Sequence, residues 1–272
     1  MARSPTTPRK AVTTTQSERT AKRLARQQKQ LEKELLNEMT IKVVHNAGKM
    51  VKYSDIKKLK PLTDTQSRFF QAWANDDAIG YLLYGSAGTG KTFAVLYHAM
   101  LEVLRPEATY KKIIIVRSCV QSRDVGFLKG DIAEKYEQYE LPYHDICADL
   151  TNNKDAYSKL KETGKIVFLS TSFLRGSTFN DSIVVFDECQ NTTFPEFSTV
   201  LSRLGTNSKI CVLGDTKQDD LTKNKNEVSG FRAAIDVMNS MSDFRSFKFN
   251  SDDIVRSDFV KAWILACEKL GL

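Results

Sequence analysis

Eight consecutive residues, Gly85-Ser86-Ala87-Gly88-Thr89-Gly90-Lys91-Thr92, fit the phosphate-loop pattern G-x-x-x-x-G-K-[ST] without a mismatch. The chemistry they suit is the cradling of a nucleotide's phosphates. The glycines reach backbone conformations closed to other residues and let N–H groups approach phosphate oxygens. A helix opening at this point would add its partial positive charge. Lys91 can reach the β- and γ-phosphates, and the Thr92 hydroxyl can bind Mg²⁺. Such a loop also needs an acid at a neighbouring strand end. The run Ser182-Ile183-Val184-Val185-Phe186 ends in Asp187 and Glu188. Asp187 is expected to hold Mg²⁺ through water, and Glu188 to polarise the attacking water as general base.

A third apolar run, 209–213, ends in Gly214-Asp215-Thr216-Lys217-Gln218. The Gln218 amide can hydrogen-bond the γ-phosphate or the attacking water and so distinguish ATP from ADP. Upstream, Leu62-Thr63-Asp64-Thr65-Gln66 opens a helix, with Thr63 or Asp64 as its cap. Gln66 can pair with the N6 donor and N7 acceptor of adenine. The same residue also reads as an ordinary helix-surface glutamine. No guanine-reading N-K-x-D motif occurs in the chain.

The elements that must position these groups are legible as alternating signals. An apolar run at 79–84 leads into the loop as a strand, and a helical run at 92–104 leads out. Further strands are expected at 112–116, 165–169, 182–186 and 209–213, with a sixth at 244–249. Most are continuous Ile, Val and Phe runs, which suit strands buried on both faces of a parallel sheet. The spacing predicts an α/β fold, a mostly parallel sheet with helices on both faces. Its ligand crevice would lie outside the strands' carboxyl ends.

The chain has 272 residues and a net charge of +7. Residues 1–36 carry nine Lys/Arg and three Glu, so the remaining 236 residues are nearly neutral. That basic start can attract nucleic acid by releasing counterions, or serve as a solubilising arm. Residues 1–16 read as a disordered tail, rich in Thr, Ser, Pro and Arg. Residues 17–59 read as a helical and linker extension, with Leu24, Leu31 and Leu35 on one helical face and a short strand at 41–44. The catalytic body is expected over 60–272. Five scattered cysteines and three histidines support neither a zinc site nor a disulfide framework. Reduced thiols, no signal-peptide core and no membrane-length apolar run point to a cytoplasmic protein.

With these blocks assembled, the chain resembles the PhoH family of ATPases, kin to the first RecA-like domain of superfamily 1 helicases. The resemblance runs over about 60–270. It rests on the segments at 63–66 and 85–92, then Gly126-Phe127-Leu128-Lys129-Gly130-Asp131 and Phe173-Leu174-Arg175-Gly176. Asp187-Glu188-Cys189-Gln190-Asn191, Leu201-Ser202-Arg203-Leu204-Gly205, the segment at 214–219 and Asp253-Ile254-Val255-Arg256 complete it. It implies a single RecA-like core, ATP and Mg²⁺, hydrolysis, ring assembly as a homo-oligomer, and a link to RNA or single-stranded nucleic acid. The chain departs from the family pattern at Ser118 and Lys129, where Pro is usual, at Cys189, usually Ala, and at Ser257, usually His. A compact, tailed form of this kind is similar to a phage-encoded member.

A developing charge on the γ-phosphate needs an arginine, in cis or from a neighbour. Arg203 and Arg256 are the leading candidates, with Arg117 and Arg175 behind them. A lone RecA-like core implies that the arginine comes from an adjacent subunit. A slow, nucleotide-gated module that recruits a protein partner is the alternative reading. A nucleotide or small-molecule kinase is disfavoured by Glu188 and Gln218, both suited to water as acceptor.

Overall fold

In the computed structural model the described residues are 50–75, 77–118, 132–174, 176, 178–216 and 229–270. Gln218, Arg175, the block at 126–131 and the basic start lie outside them. Within them the elements run α1 (Asp64–Asn75), β1 (Gly80–Gly85), α2 (Lys91–Leu104), β2 (Lys112–Arg117), α3 (Ile132–Thr151), α4 (Ala156–Glu162) and β3 (Ile166–Ser170). Then come β4 (Ser182–Asp187), α5 (Phe194–Leu201), β5 (Ser208–Gly214), α6 (Phe231–Ser240), β6 (Phe244–Phe249) and α7 (Asp258–Leu270).

The six strands form one sheet in the order β3-β2-β4-β5-β1-β6, and every pairing is parallel. Each of the six strands expected over 79–249 lies within one residue of its observed bounds, and 244–249 is a full edge strand; the short strand expected at 41–44 lies outside the described residues. This is the expected α/β arrangement, consistent with a RecA-like core. Alternation along the strands explains how the sheet is covered on both faces. Tyr81, Leu83, Ile113, Ile115, Ile183, Val185, Cys211 and Leu213 join one core, with Phe69, Leu96, Met100 and Tyr143 from the helices. Leu82, Ile114, Val116, Val184, Phe186, Ile210 and Val212 join the other, with Phe197, Phe231 and Met238.

Residues 50–59, which the sequence reads as linker, pack on this body. Val51 and Ile56 are buried in the first core, and the Lys57 amide donates to Leu150 O at 2.8 Å. The free cysteines among the described residues are Cys147, Cys189, Cys211 and Cys267, the first three buried. No described helix is long and apolar enough to cross a membrane.

The sheet order decides the site. β5 lies between β1 and β4, so the loop after β1, the acids ending β4 and the Gly214-Asp215 turn ending β5 stand side by side at one edge. β2 flanks β4 on the far side, with Arg117 in register opposite Asp187.

Candidate nucleotide site

The phosphate loop is held by its glycines. Gly85, Gly88 and Gly90 all have positive φ (121°, 70° and 76°), and Gly90 caps α2 in the left-handed region. Helix α2 therefore starts at Lys91, with its N-terminus beneath the loop. The Lys91 ammonium donates to Gly85 O (3.0 Å), Ser86 O (2.7 Å) and Thr89 Oγ1 (3.3 Å). Burial pulls its pKa down, while Asp215, Asp187 and Glu188 oppose that pull. One cation thus sits among the acids of two neighbouring strand ends.

Thr92 and Asp187 meet across the crevice. The Thr92 hydroxyl lies 3.2 and 3.3 Å from the two Asp187 carboxylate oxygens. The Tyr143 hydroxyl, fully buried on α3, donates to Asp187 Oδ2 at 3.0 Å, and the Glu188 amide donates to Oδ1 at 3.0 Å. Burial first, and then the charge of Glu188, push the Asp187 carboxyl above the ordinary carboxylate range, with Arg117 opposing. Burial and the same carboxylate raise the Tyr143 pKa, so its hydroxyl keeps the proton it donates. Burial works against the Arg117 charge, but Tyr143, Glu188 and Asp187 outweigh it and hold the guanidinium protonated.

This donor set fits Mg²⁺. A buried carboxylate short of positive charge faces a threonine hydroxyl at a phosphate loop, and Mg²⁺ with nucleotide takes only one or two protein oxygens beside phosphate and water. Among the described residues no cluster of three or more His, Cys, Asp or Glu could form an all-protein cage.

Glu188 has φ 52°, a left-handed conformation for a residue with a side chain. Such backbone costs about 1–3 kcal/mol and persists only where its surroundings impose it. Here the turn Cys189–Asn191 imposes it, with the Cys189 thiol donating to Phe186 O. Glu188 Oε2 accepts the Gln190 side-chain amide at 2.6 Å.

The two outlying blocks converge on the loop. Gln66 Nε2 donates to Thr89 O at 3.0 Å, and its Oε1 accepts the Leu62 amide at 2.8 Å. Thr65 Oγ1 donates to Asp253 Oδ2 at 3.1 Å, and the Val255 amide donates to Gly88 O at 3.0 Å. A Cβ on Gly88 would stand 3.0 Å from Arg256 Cγ, so the Arg256 stem lies on its own chain's loop.

A PhoH-like protein family model matches residues 58–268, which contain every one of these groups. The chain belongs to the PhoH-like family. It is 35% identical over 206 residues to the PhoH-like protein of Mycobacterium tuberculosis H37Rv, covering 75% of this chain and 56% of that one. To the PhoH-like protein of Bacillus subtilis 168 it is 32% identical over 214 residues, covering 78% and 65%. To Protein PhoH of Escherichia coli K12 it is 33% identical over 175 residues, covering 64% and 48%. The chain spans about half to two thirds of the length of these PhoH-like relatives.

Of the residues expected at the site, Gly85, Ser86, Ala87, Gly88, Thr89, Gly90, Lys91, Thr92, Asp187 and Glu188 lie together in this PhoH-like domain. Gln66 and Arg256 touch the loop. Arg203 does not join them. It follows α5 and precedes β5, and its amide and carbonyl bond to Val200 and Phe179 at the strands' starting end. With β5 spanning 7 residues, at about 3.3 Å each, Arg203 is roughly a sheet's height from its own loop. Residues that the sequence did not single out are Tyr143, Thr65 and the side chain of Gln190. Arg117, a secondary candidate in the sequence, stands in register opposite Asp187, and its charge opposes the rise of the Asp187 pKa.

Proposed function

We propose that this PhoH-like chain binds ATP with Mg²⁺ and hydrolyses it. The observation that carries the reading is the meeting of Thr92 with Asp187 beneath a complete phosphate loop, with Lys91 and Glu188 beside them. Lys91 would exchange its loop carbonyls for phosphate oxygens. Thr92 and Asp187 would hold Mg²⁺, which when bound neutralises charge on the phosphate oxygens. Glu188 would take the proton of the attacking water. Gln218 would report the γ-phosphate. Arg117 or Arg256 in cis, or Arg203 or Arg256 from a neighbour, would meet the charge that develops on the phosphoryl group.

Gln66 is the proposed reader of adenine. Its bonds to Thr89 and Leu62 leave one N–H and one lone pair on the amide, the pair that adenine N7 and N6 require. Replacing Gln66 with alanine is expected to lower the preference for ATP over GTP by about 10-fold or more, in line with one bidentate base contact. Competition binding with the two nucleotides measures this, and an unchanged preference removes Gln66 from base reading.

Assembly as a homo-oligomer is part of the proposal, and α7 supports it. Ile264 points toward Gly88. Phe259, Trp263 and Leu270 share the outer face at helical spacing and are 78%, 64% and 72% exposed. The two aromatics alone present on the order of 300 Å² of apolar surface, within the range of about 300–600 Å² for the largest patch on a monomer, which is often functional. A second copy seated there would adjoin the phosphate loop. Trp263→Asp is expected to shift the chain to smaller species in sedimentation velocity and to leave its circular dichroism unchanged. An unaltered distribution would remove α7 from the subunit contact.

RNA or single-stranded DNA is the proposed nucleic-acid partner, drawn by the basic start of the chain. A cytoplasmic setting goes with the free thiols. The test is ATP turnover with Mg²⁺, with and without single-stranded RNA and DNA. Stimulation by one nucleic acid names the substrate class. Basal turnover that ignores both favours the partner-recruiting module. Absence of both nucleotide binding and turnover removes the proposal.

A further inference from the structure

Gln190 is 3% exposed and lies on the turn after β4. Its Oε1 accepts the Asp215 backbone amide at 3.0 Å, and its Nε2 donates to Glu188 Oε2 at 2.6 Å. A backbone N–H can only donate, so Asp215 determines which end of the amide is oxygen. The NH₂ end must then face the Glu188 carboxylate. The β5 end leaves little room beyond this amide. A Cβ on Gly214 would lie 3.2 Å from Gln190 Oε1 and 2.5 Å from the Phe231 ring.

We propose that Gln190 is a positioning residue that orients the Glu188 carboxylate and couples it to the end of β5. A buried glutamine at a strand end commonly satisfies backbone groups and nothing more. Gln190 does this with one end only, and its other end holds the carboxylate assigned to water activation. That carboxylate sits on a left-handed residue whose side chain has several rotamers open to it, and the amide selects one. The Asp215 amide belongs to the strand end that precedes Gln218. A shift of that end would therefore move Gln190 and change where Glu188 points. The inference rests on the reading of Glu188 as base.

The test is a cycle of full-length chains: wild type, Gln190→Glu, Glu188→Gln and the double variant. Binding of a fluorescent ATP analogue, Mg²⁺-ATP turnover and thermal unfolding are measured for each. Gln190→Glu keeps the shape and the acceptor for Asp215 but sets an oxygen against Glu188. It is expected to lower kcat about 10–100-fold, the usual effect of losing an orienting partner, with analogue affinity within about twofold. In the Glu188→Gln background the same change is expected to leave turnover where it is, as residues acting through one group do. Gln190→Asn keeps both polar ends on a shorter arm. It is expected to show the same kcat loss and keeps the test valid if Gln190→Glu does not fold. Wild-type kcat in both Gln190 variants, beside an inactive Glu188→Gln, overturns the coupling alone. An equal fractional loss in the Glu188→Gln background also overturns it. Wild-type turnover in Glu188→Gln overturns the base assignment and the coupling together.

Discussion

Glu188→Gln should bind Mg²⁺-ATP with the affinity of the wild-type chain and turn it over about 10³-fold more slowly, the scale of a lost general base. The substitution is unusually clean here. Glutamine has the size of glutamate, and its carbonyl oxygen can still accept the Gln190 amide that Glu188 Oε2 accepts at 2.6 Å. The Asp187 contacts are untouched, because Glu188 meets Asp187 through its backbone amide. What is removed is the carboxylate's basicity and its charge, and with the charge one of the influences that raise the Asp187 pKa. Asp187→Asn should behave differently. Its carboxylate meets Thr92, Tyr143 and the Glu188 amide together, so its loss should weaken Mg²⁺-dependent binding as well as turnover. Single-turnover hydrolysis beside calorimetric titration separates the two variants. A Glu188→Gln rate within threefold of wild type would show that another group activates the water.

The parts of the site that share a short stretch of chain were readable in the sequence. The phosphate loop is eight contiguous residues, and Asp187-Glu188 stands at the end of an uninterrupted Ser-Ile-Val-Val-Phe run. The strands were readable because their apolar runs are continuous, as burial on both faces requires. What could not be read depends on strand order. The sequence gives the strands in succession, but the sheet places them β3-β2-β4-β5-β1-β6. Only that order sets Arg117 opposite Asp187 and Asp215 within reach of Gln190. Tyr143 looks like any core tyrosine on a helix, and its partner is 44 residues away. Thr65 and Asp253 pair across 188 residues, beyond any periodicity. The place of Arg203 also depends on the fold. Its block belongs to the family pattern, yet the chain returns through α5 and leaves it at the strands' starting end.

Gly85→Ala should destabilise the whole body by more than about 4 kcal/mol, a size reached only through a few specific mechanisms. Two of them act together at this residue. Its φ of 121° is closed to alanine without strain. A Cβ there would also lie 2.0 Å from Phe249 O and about 3 Å from Phe249 C and N. These are backbone atoms of the paired strand, so no side chain can turn aside. Phe249 O is moreover the acceptor of the Ser86 amide, and Gly85 is in register with Phe249 on β6. Relief would require β1 and β6 to part where the phosphate loop begins. Against a total stability of about 5–15 kcal/mol, that removes from about a quarter to most of the margin. Gly88→Ala offers the contrast. Its added Cβ would meet Arg256 Cγ at 3.0 Å, a flexible stem that can move, so its cost should fall chiefly on the loop's conformation and on nucleotide affinity. Urea denaturation of the two variants distinguishes them. A wild-type midpoint for Gly85→Ala would mean that the β1–β6 junction opens far more readily than its register and hydrogen bonds imply.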